Sequence, residues 1–217
     1  MNNSKDSKQY APATERNRRP ILEVLQQVIP PEGNILEIAS GTGEHACFFA
    51  PYFSPRQWIP SDPDRLLRLS IEAWRQDCKS DNLQIPLDIN VTLPDWDEKI
   101  DHSAIAKRHC VIADIGVIIA INLIHISPWS ACQGLITGAG KILQSGGILY
   151  LYGPYKQQGK HTATSNEAFD QSLQFRNPDW GVRNLEDVVE LAEKYQLILH
   201  KIIPMPANNL SLIFHHL

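Results

Sequence analysis

Apolar residues recur along the chain in two rhythms. In PILEVLQQVI (20–29), Ile21, Leu22, Leu25, Val28 and Ile29 share one face of a 3.6-residue repeat, which predicts an amphipathic helix with Pro20 at its start. ILEIA (35–39), QWIPS (57–61), LQIPL (83–87), IGVIIAIN (115–122) and GILYLYG (147–153) are short, mostly uninterrupted apolar runs. Such runs predict strands buried on both faces, as in a parallel sheet covered by helices. RLLRLSIEAWRQDCK (65–79) and SACQGLITGAGKILQ (130–144) supply intervening helices, the second with Ser127 as N-cap and Pro128 behind it. TSNEAFDQSLQFR (164–176) predicts a further helix opened by a Thr164–Glu167 capping box, and NLEDVVELAEKY (184–195) another capped by Asn184. LILHKIIPMPANNLSLIFHH (197–216) places two apolar strands about a tight connection, a hairpin signal. The expected fold is therefore α/β, a doubly wound, mostly parallel sheet with a C-terminal antiparallel hairpin.

Composition narrows the function. With 217 residues and 43% apolar content the chain can bury one substantial core, so a single domain over 18–217 is expected, preceded by a polar arm over 1–17. A net charge of −4 provides no field for a polyanion, which argues against a nucleic-acid partner. Cys47, Cys78, Cys110 and Cys132 form no C-x-x-C pair and read as ordinary thiols rather than a metal or disulfide framework. The polar start MNNSKDSKQY and the lack of a spanning apolar run predict a cytoplasmic protein with no membrane partner.

In an open α/β sheet, ligands bind beyond the carboxyl ends of the strands. The residues at those places are Ser40 to Glu44, Asp62 to Asp64, Asp88 and Asn90, Asn122 to Ser127, and Gly153 to Lys156. The first loop permits two readings: GTGEHA fits the dinucleotide pattern G-x-G-x-x-A, and EIASGTG fits the E-x-A-x-G-x-G form associated with S-adenosylmethionine. In both, Gly41 and Gly43 let backbone approach the ligand, and Asp62 accepts from ribose hydroxyls. Glu37 favours the second reading, since a carboxylate there suits an ammonium better than a pyrophosphate. The hairpin ending and the chain length also favour it over a dehydrogenase with a separate substrate domain.

YAPATERN, ILEIASGTGEHACFFA, QWIPSD, INLIHISPW, GPYKQQGKHTATSN, FDQSLQFRNPDWGVR and MPANNLSLIF together resemble the methyltransferase-like 26 family, a domain-of-unknown-function group within the class I S-adenosylmethionine-dependent methyltransferases. The resemblance implies a seven-stranded sheet with its last strand antiparallel and S-adenosyl-L-methionine as cofactor, and it names no substrate. Carried over by residue, it sets Glu37, Ala39, Gly41 and Gly43 around the methionine part and Asp62 on the ribose. On the adenine side it favours Asn90, with Asp88 as the acidic alternative two positions earlier.

Methyl transfer asks a protein to hold a nucleophile in line, exclude water and, for some acceptors, remove a proton. His125 in INLIHISPW is the candidate base, set against a purely structural role, and Asn122 is the candidate to fix cofactor or substrate. In the arm, Tyr10, Glu15, Arg16 and Asn17 are the candidates for a lid over the cofactor pocket, Arg16 being available to a carboxylate; the alternative is a solvated tail. Tyr155, Asn166, Asp170, Arg176, Trp180, Asn208 and Asn209 are substrate-facing candidates; the alternative for Trp180 is a core plug, and for the asparagines satisfaction of the turn backbone. His215 and His216 are expected to be exposed. No N-P-P-[FY] motif, basic stripe or metal cluster appears, which disfavours amino-DNA methylation and metal-assisted chemistry. The expected function is methyl transfer to a small molecule, with protein acceptors open. The rivals are a non-catalytic S-adenosylmethionine-binding regulator and an NAD-dependent oxidoreductase.

Overall fold

The computed structural model describes residues 7–100 and 114–217. Cys110 and the first residues of the arm lie outside that set. The chain forms two compact units, Met1–Asn90 with Glu98–Ile119 and Val91–Asp97 with Ala120–Leu217.

The first unit begins with α1 (Pro12–Val28), followed by β1 (Asn34–Ile38), α2 (Glu44–Phe49), β2 (Trp58–Pro60), α3 (Arg65–Gln76) and the first five residues of β3 (Ile115–Ile121). Helix α1 starts eight residues earlier than its apolar stripe predicts: Pro12 occupies the first turn and Pro20 lies inside. Ala, Glu and Arg in PATERNRR are good helix formers, so the helix extends without an apolar face. Its core stripe is Ile21, Leu22, Val24 and Leu25, all buried. Strand order in this unit is β2-β1-β3, with β1 and β2 parallel in the register Ile35↔Trp58 and Glu37↔Pro60.

The expected strand LQIPL runs beside β2 as an extended segment with two isolated parallel bridges, Trp58↔Leu83 and Ser61↔Leu87, rather than as a continuous ladder. Gln84 N donates to Trp58 O at 2.8 Å, but the next bond to the segment is Leu87 N to Pro60 O at 2.9 Å. Neither Pro60 nor Pro86 has an N–H to donate, so the pairing slips by one residue between them.

In the second unit the carboxyl end of β3 leads through α4 (Trp129–Ile142) to β4 (Ile148–Gly153), β5 (Tyr155–Gln157), β6 (Lys160–His161), α5 (Thr164–Arg176), β7 (Arg183–Asn184), α6 (Leu185–Glu193), β8 (Leu197–Met205) and β9 (Asn209–His216). The order there is β4-β9-β8, antiparallel at both pairings, so the predicted hairpin forms, with Met205 opposite Asn209. A small sheet, β6-β5-β7, arises where the apolar pattern predicts no strand. Its β5–β6 turn places Gln158 and Gly159 at φ 51° and 72°, the two-positive pattern that matches hairpin twist.

Three predicted caps differ. Ser127 Oγ donates to Leu123 O at 2.7 Å, and Pro128 takes the N-cap of α4. Ala163, not Thr164, precedes α5, with no side-chain cap. Asn184 precedes α6 but donates to Asp187 Oδ2 at 3.1 Å, because a donor amide can reach that carboxylate as readily as a backbone N–H. No helix among the described residues is long and apolar enough to cross a membrane.

Candidate functional site

The loop after β1 is built by left-handed backbone. Ala39, Gly41 and Gly43 all have positive φ, at 54°, 57° and 90°. Their steric surroundings differ. A Cβ on Gly41 would meet nothing within 4 Å, whereas one on Gly43 would lie 2.7 Å from Ile71 Cα. Gly41 therefore has open space on that side, while Gly43 is required by the close passage of α3, a different reason from the one the motif suggests.

Asp62, just past β2, fastens this loop. Its Oδ2 accepts from Gly41 N at 3.0 Å and its Oδ1 from Asp64 N at 2.9 Å, while Asp64 itself caps α3 through Leu66 N. Burial raises the Asp62 pKa against these bonds. Glu37 lies behind the loop, 2% exposed, and accepts from Trp58 Nε1 at 2.9 Å. Burial pushes its pKa up to about 7 despite the indole bond. Ser61 Oγ donates to Glu37 O at 2.8 Å and Ser40 Oγ accepts from Ser61 N at 3.1 Å, so the ends of β1 and β2 are cross-linked. Asp88 is an exposed carboxylate paired with Arg68 at 3.0 Å. Asn90, at the end of the same segment, is half-buried.

The arm is held against this unit rather than solvated throughout. Ala11 N donates to Glu44 Oε2 at 2.5 Å, Gln9 N to Ser70 Oγ at 2.8 Å, and Trp74 Nε1 to Gln9 O at 3.0 Å. Tyr10 is 69% exposed but sets its ring edge-on to Trp74. His45 Nε2 donates to Asn17 Oδ1 at 2.8 Å, and burial lowers its pKa to about 4, so the ring is neutral. Glu15 and Arg16 are exposed on the first turns of α1.

The remaining candidates lie in the second unit. Asn122 follows β3 in a left-handed conformation, φ 62°, with its N–H donated to Tyr152 O at 2.8 Å. His125 is 4% exposed, edge-on to Phe169, and a Cβ on Gly153 would lie 2.9 Å from its ring. Burial, with Arg183 adding to it, lowers its pKa to about 3. The imidazole is thus neutral and weakly basic, which suits positioning better than proton abstraction near neutrality. Arg183, which sequence reasoning missed, donates to Ser127 O at 2.9 Å and holds the loop in place; the arginine in DWGVR carried no periodic or motif signal of its own.

Asp170 is 3% exposed and collects Lys156 Nζ at 2.8 Å, His161 Nε2 at 3.2 Å and Val182 N at 2.8 Å. Asn166 Nδ2 donates to Asn208 O at 2.9 Å, tying α5 to the hairpin turn, and Asn209 Nδ2 donates to Pro206 O at 3.0 Å. Tyr155 is 2% exposed and belongs to the core. Arg176 covers the half-buried Trp180 ring at 5.7 Å on the surface, so Trp180 is not a core plug. His215 stacks on His200 at 4.4 Å and is partly covered rather than exposed.

A family model described as a protein of unknown function, DUF938, matches residues 8–216. An O-methyltransferase family 2 protein from Planctomyces limnophilus, solved in complex with apigenin, is similar with TM-score 0.76 at 15% identity, over 100% of this chain and 62% of its own. An O-methyltransferase family protein from Burkholderia thailandensis gives 0.75 at 12%, over 94% and 57%. Human N-acetylserotonin methyltransferase in complex with SAM gives 0.63 at 9%, over 92% and 54%. The chain thus spans 54–62% of the length of these structures. At such identities the likeness shows the fold, an α/β Rossmann-like class I methyltransferase fold.

Proposed function

We propose that this chain, which belongs to the DUF938 family of proteins of unknown function, is an S-adenosylmethionine-dependent methyltransferase acting on a small-molecule acceptor. The observation that carries the reading is Asp62, whose two carboxylate oxygens are each fixed by one backbone N–H at the end of β2. Each oxygen keeps a lone pair for a hydroxyl, so the group suits a ribose diol. Gly41, open on the side where its Cβ would stand, gives the backbone close access to the same ligand. Glu37, held neutral by burial beneath the loop, would be drawn to its ionised form by an approaching ammonium group. On the adenine side the reading favours Asn90, half-buried at the end of the segment, over Asp88, which is exposed and pairs with Arg68.

The cofactor, when bound, supplies a methyl group already activated on a sulfonium. The chain's own task is to bind and orient. Ala39 to Gly43 and Asp62 hold the cofactor, and the arm with Tyr10, Asn17 and Arg16 covers it; within the second unit, His125 keeps the loop that carries Asn122 in shape. The resemblance to the methyltransferase-like 26 family supports the same reading. So does the small-molecule chemistry of similar folds, one holding apigenin and another named for N-acetylserotonin.

Calorimetric titration with S-adenosylmethionine, S-adenosylhomocysteine and NAD, beside the Asp62→Ala variant, tests the proposal. The sulfur ligands should bind and lose affinity in the variant. Binding of NAD alone, or of none of the three, overturns it.

A further inference from the structure

Cys47 and Cys78 stand 31 residues apart and form no sequence motif, yet the fold of the first unit brings them together. Cys47 lies on α2, where its N–H donates to Gly43 O at 3.0 Å, and Cys78 directly follows Asp77, the C-cap of α3. Cys78 Sγ donates to Cys47 O at 3.6 Å, and the two thiols also hydrogen-bond with each other. Both are half-buried free thiols, and Cys47 lines a cavity of about 320 Å³, roomy enough for a molecule little larger than water.

Their surroundings make the two thiols unequal. Burial pushes the Cys47 thiol up to about 12; the Cys78 sulfur and Asp77 add to the shift, and the Lys8 ammonium opposes it. Lys8 itself pairs with Asp77 and lies 4.4 Å from the centroid of the Trp74 ring. Cys47 therefore stays protonated near neutrality, which leaves Cys78 to supply the thiolate, the reactive form.

We infer that Cys47 and Cys78 are a peroxide-responsive dithiol that closes into a reversible disulfide, stapling α2 to the end of α3. The Cys78 thiolate attacks one oxygen of hydrogen peroxide, breaks the O–O bond and becomes a sulfenic acid. The hydroxide released takes up the proton that Cys78 lost on ionising. Cys47 sulfur then attacks the Cys78 sulfur, and the thiol proton leaves with the sulfenic hydroxyl as water. Two thiols have lost two hydrogens and two electrons, and one peroxide has become two waters. Thiols already in hydrogen-bonding contact need only a small shift to reach an S–S bond length of about 2.0 Å. The staple uses none of the side chains proposed to hold the cofactor, so the inference does not depend on that proposal.

The test treats the full chain with a small excess of hydrogen peroxide, cleaves it without reduction and maps the peptides by mass spectrometry. Monomeric protein should yield a linked pair of peptides holding Cys47 and Cys78, lighter by two hydrogens than the separate peptides, and dithiothreitol should remove it. In Cys47→Ser, Cys78 should instead accumulate as a sulfenic acid that dimedone captures. In Cys78→Ser, capture at Cys47 should be slower by about tenfold or more. Should either variant lose its cooperative melt, the mapping of the wild-type chain stands by itself. No Cys47–Cys78 link, a link from either to Cys110 or Cys132 in its place, or links formed only between chains overturns the inference. Dimedone capture at Cys47 as fast as at Cys78 overturns it too.

Discussion

The indole Nε1 of Trp58 donates to Oε2 of Glu37 at 2.9 Å, joining β2 to β1 across residues that are 0% and 2% exposed. The E-x-A-x-G-x-G pattern presents Glu37 only as a ligand group, yet its carboxylate also has an internal partner. One donor does not replace bulk water around a buried charge, so the acid form is favoured and its pKa rises to about 7.

That shift sets a pH dependence. In the unfolded chain Glu37 ionises near 4.5, and in the folded chain near 7. Between those values the folded state holds a proton that the unfolded state has lost, so stability falls as pH rises through the window, by on the order of 3 kcal/mol in all. Glu37→Gln keeps an acceptor for Trp58 and cannot titrate. Urea unfolding from pH 4.5 to 8 should show a smaller decline in the variant than in wild type. Parallel declines would show that Glu37 is not responsible.

The two loop glycines should separate on substitution. Gly41→Ala adds a methyl into open space and costs only the strain of a left-handed non-glycine residue, about 1–2 kcal/mol. Gly43→Ala drives a methyl to 2.7 Å from Ile71 Cα as well, so it should destabilise by more, roughly 3 kcal/mol. Affinity for S-adenosylhomocysteine should order differently, falling in a Gly41→Ala protein that still melts cooperatively. A Gly43→Ala protein as stable as Gly41→Ala would contradict the packing assigned to α3.

Much of this arrangement was legible because apolar runs report burial on both faces. β1, β3 and β4 fall within a residue or so of their apolar runs. What stayed hidden depends on partners remote in sequence. The slip of LQIPL needs Pro60 and Pro86 to be neighbours across strands, which neither run shows alone. The early start of α1 rests on helix propensity in a segment with no apolar stripe. For the glycine loop, the motif marks Gly43, but only the position of Ile71 reveals why a side chain is not tolerated there.

The arm offers a test of the lid. Truncation of residues 1–11 removes the bonds from Ala11 to Glu44 and from Trp74 to Gln9 while leaving α1 whole. Affinity for S-adenosylhomocysteine should fall several-fold, with helical circular dichroism nearly unchanged. Trp74→Phe, which loses one hydrogen bond worth about 1 kcal/mol, should reproduce part of the loss. A truncated chain that binds as tightly as the full one would leave the arm a packing element only.

Asp170 has the strongest electrostatic commitment in the second unit. Burial disfavours its ionised form, but Lys156, the Val182 N–H and His161 outweigh this and bring the pKa below its ordinary value of 3.8. A depressed carboxylate pKa stabilises the fold above the unfolded value, and the gain is lost as pH falls through the folded one. Asp170→Asn retains an acceptor for Val182 N, yet it leaves the Lys156 ammonium without its partner, at a cost of about 2–3 kcal/mol at neutral pH. Removing that ammonium in Asp170→Asn with Lys156→Met should recover part of the loss, since the penalty is mainly an unpaired cation. Urea unfolding of wild type, single and double variants at pH 7 and again below about pH 4 checks both points. The wild-type advantage should narrow progressively below the ordinary carboxyl value, where the unfolded chain takes up a proton first, and vanish only once the pH passes the lowered folded value and Asp170 is neutral like asparagine. An advantage of the same size at both values would mean that shape, not charge, holds Lys156, His161 and the Val182 turn together.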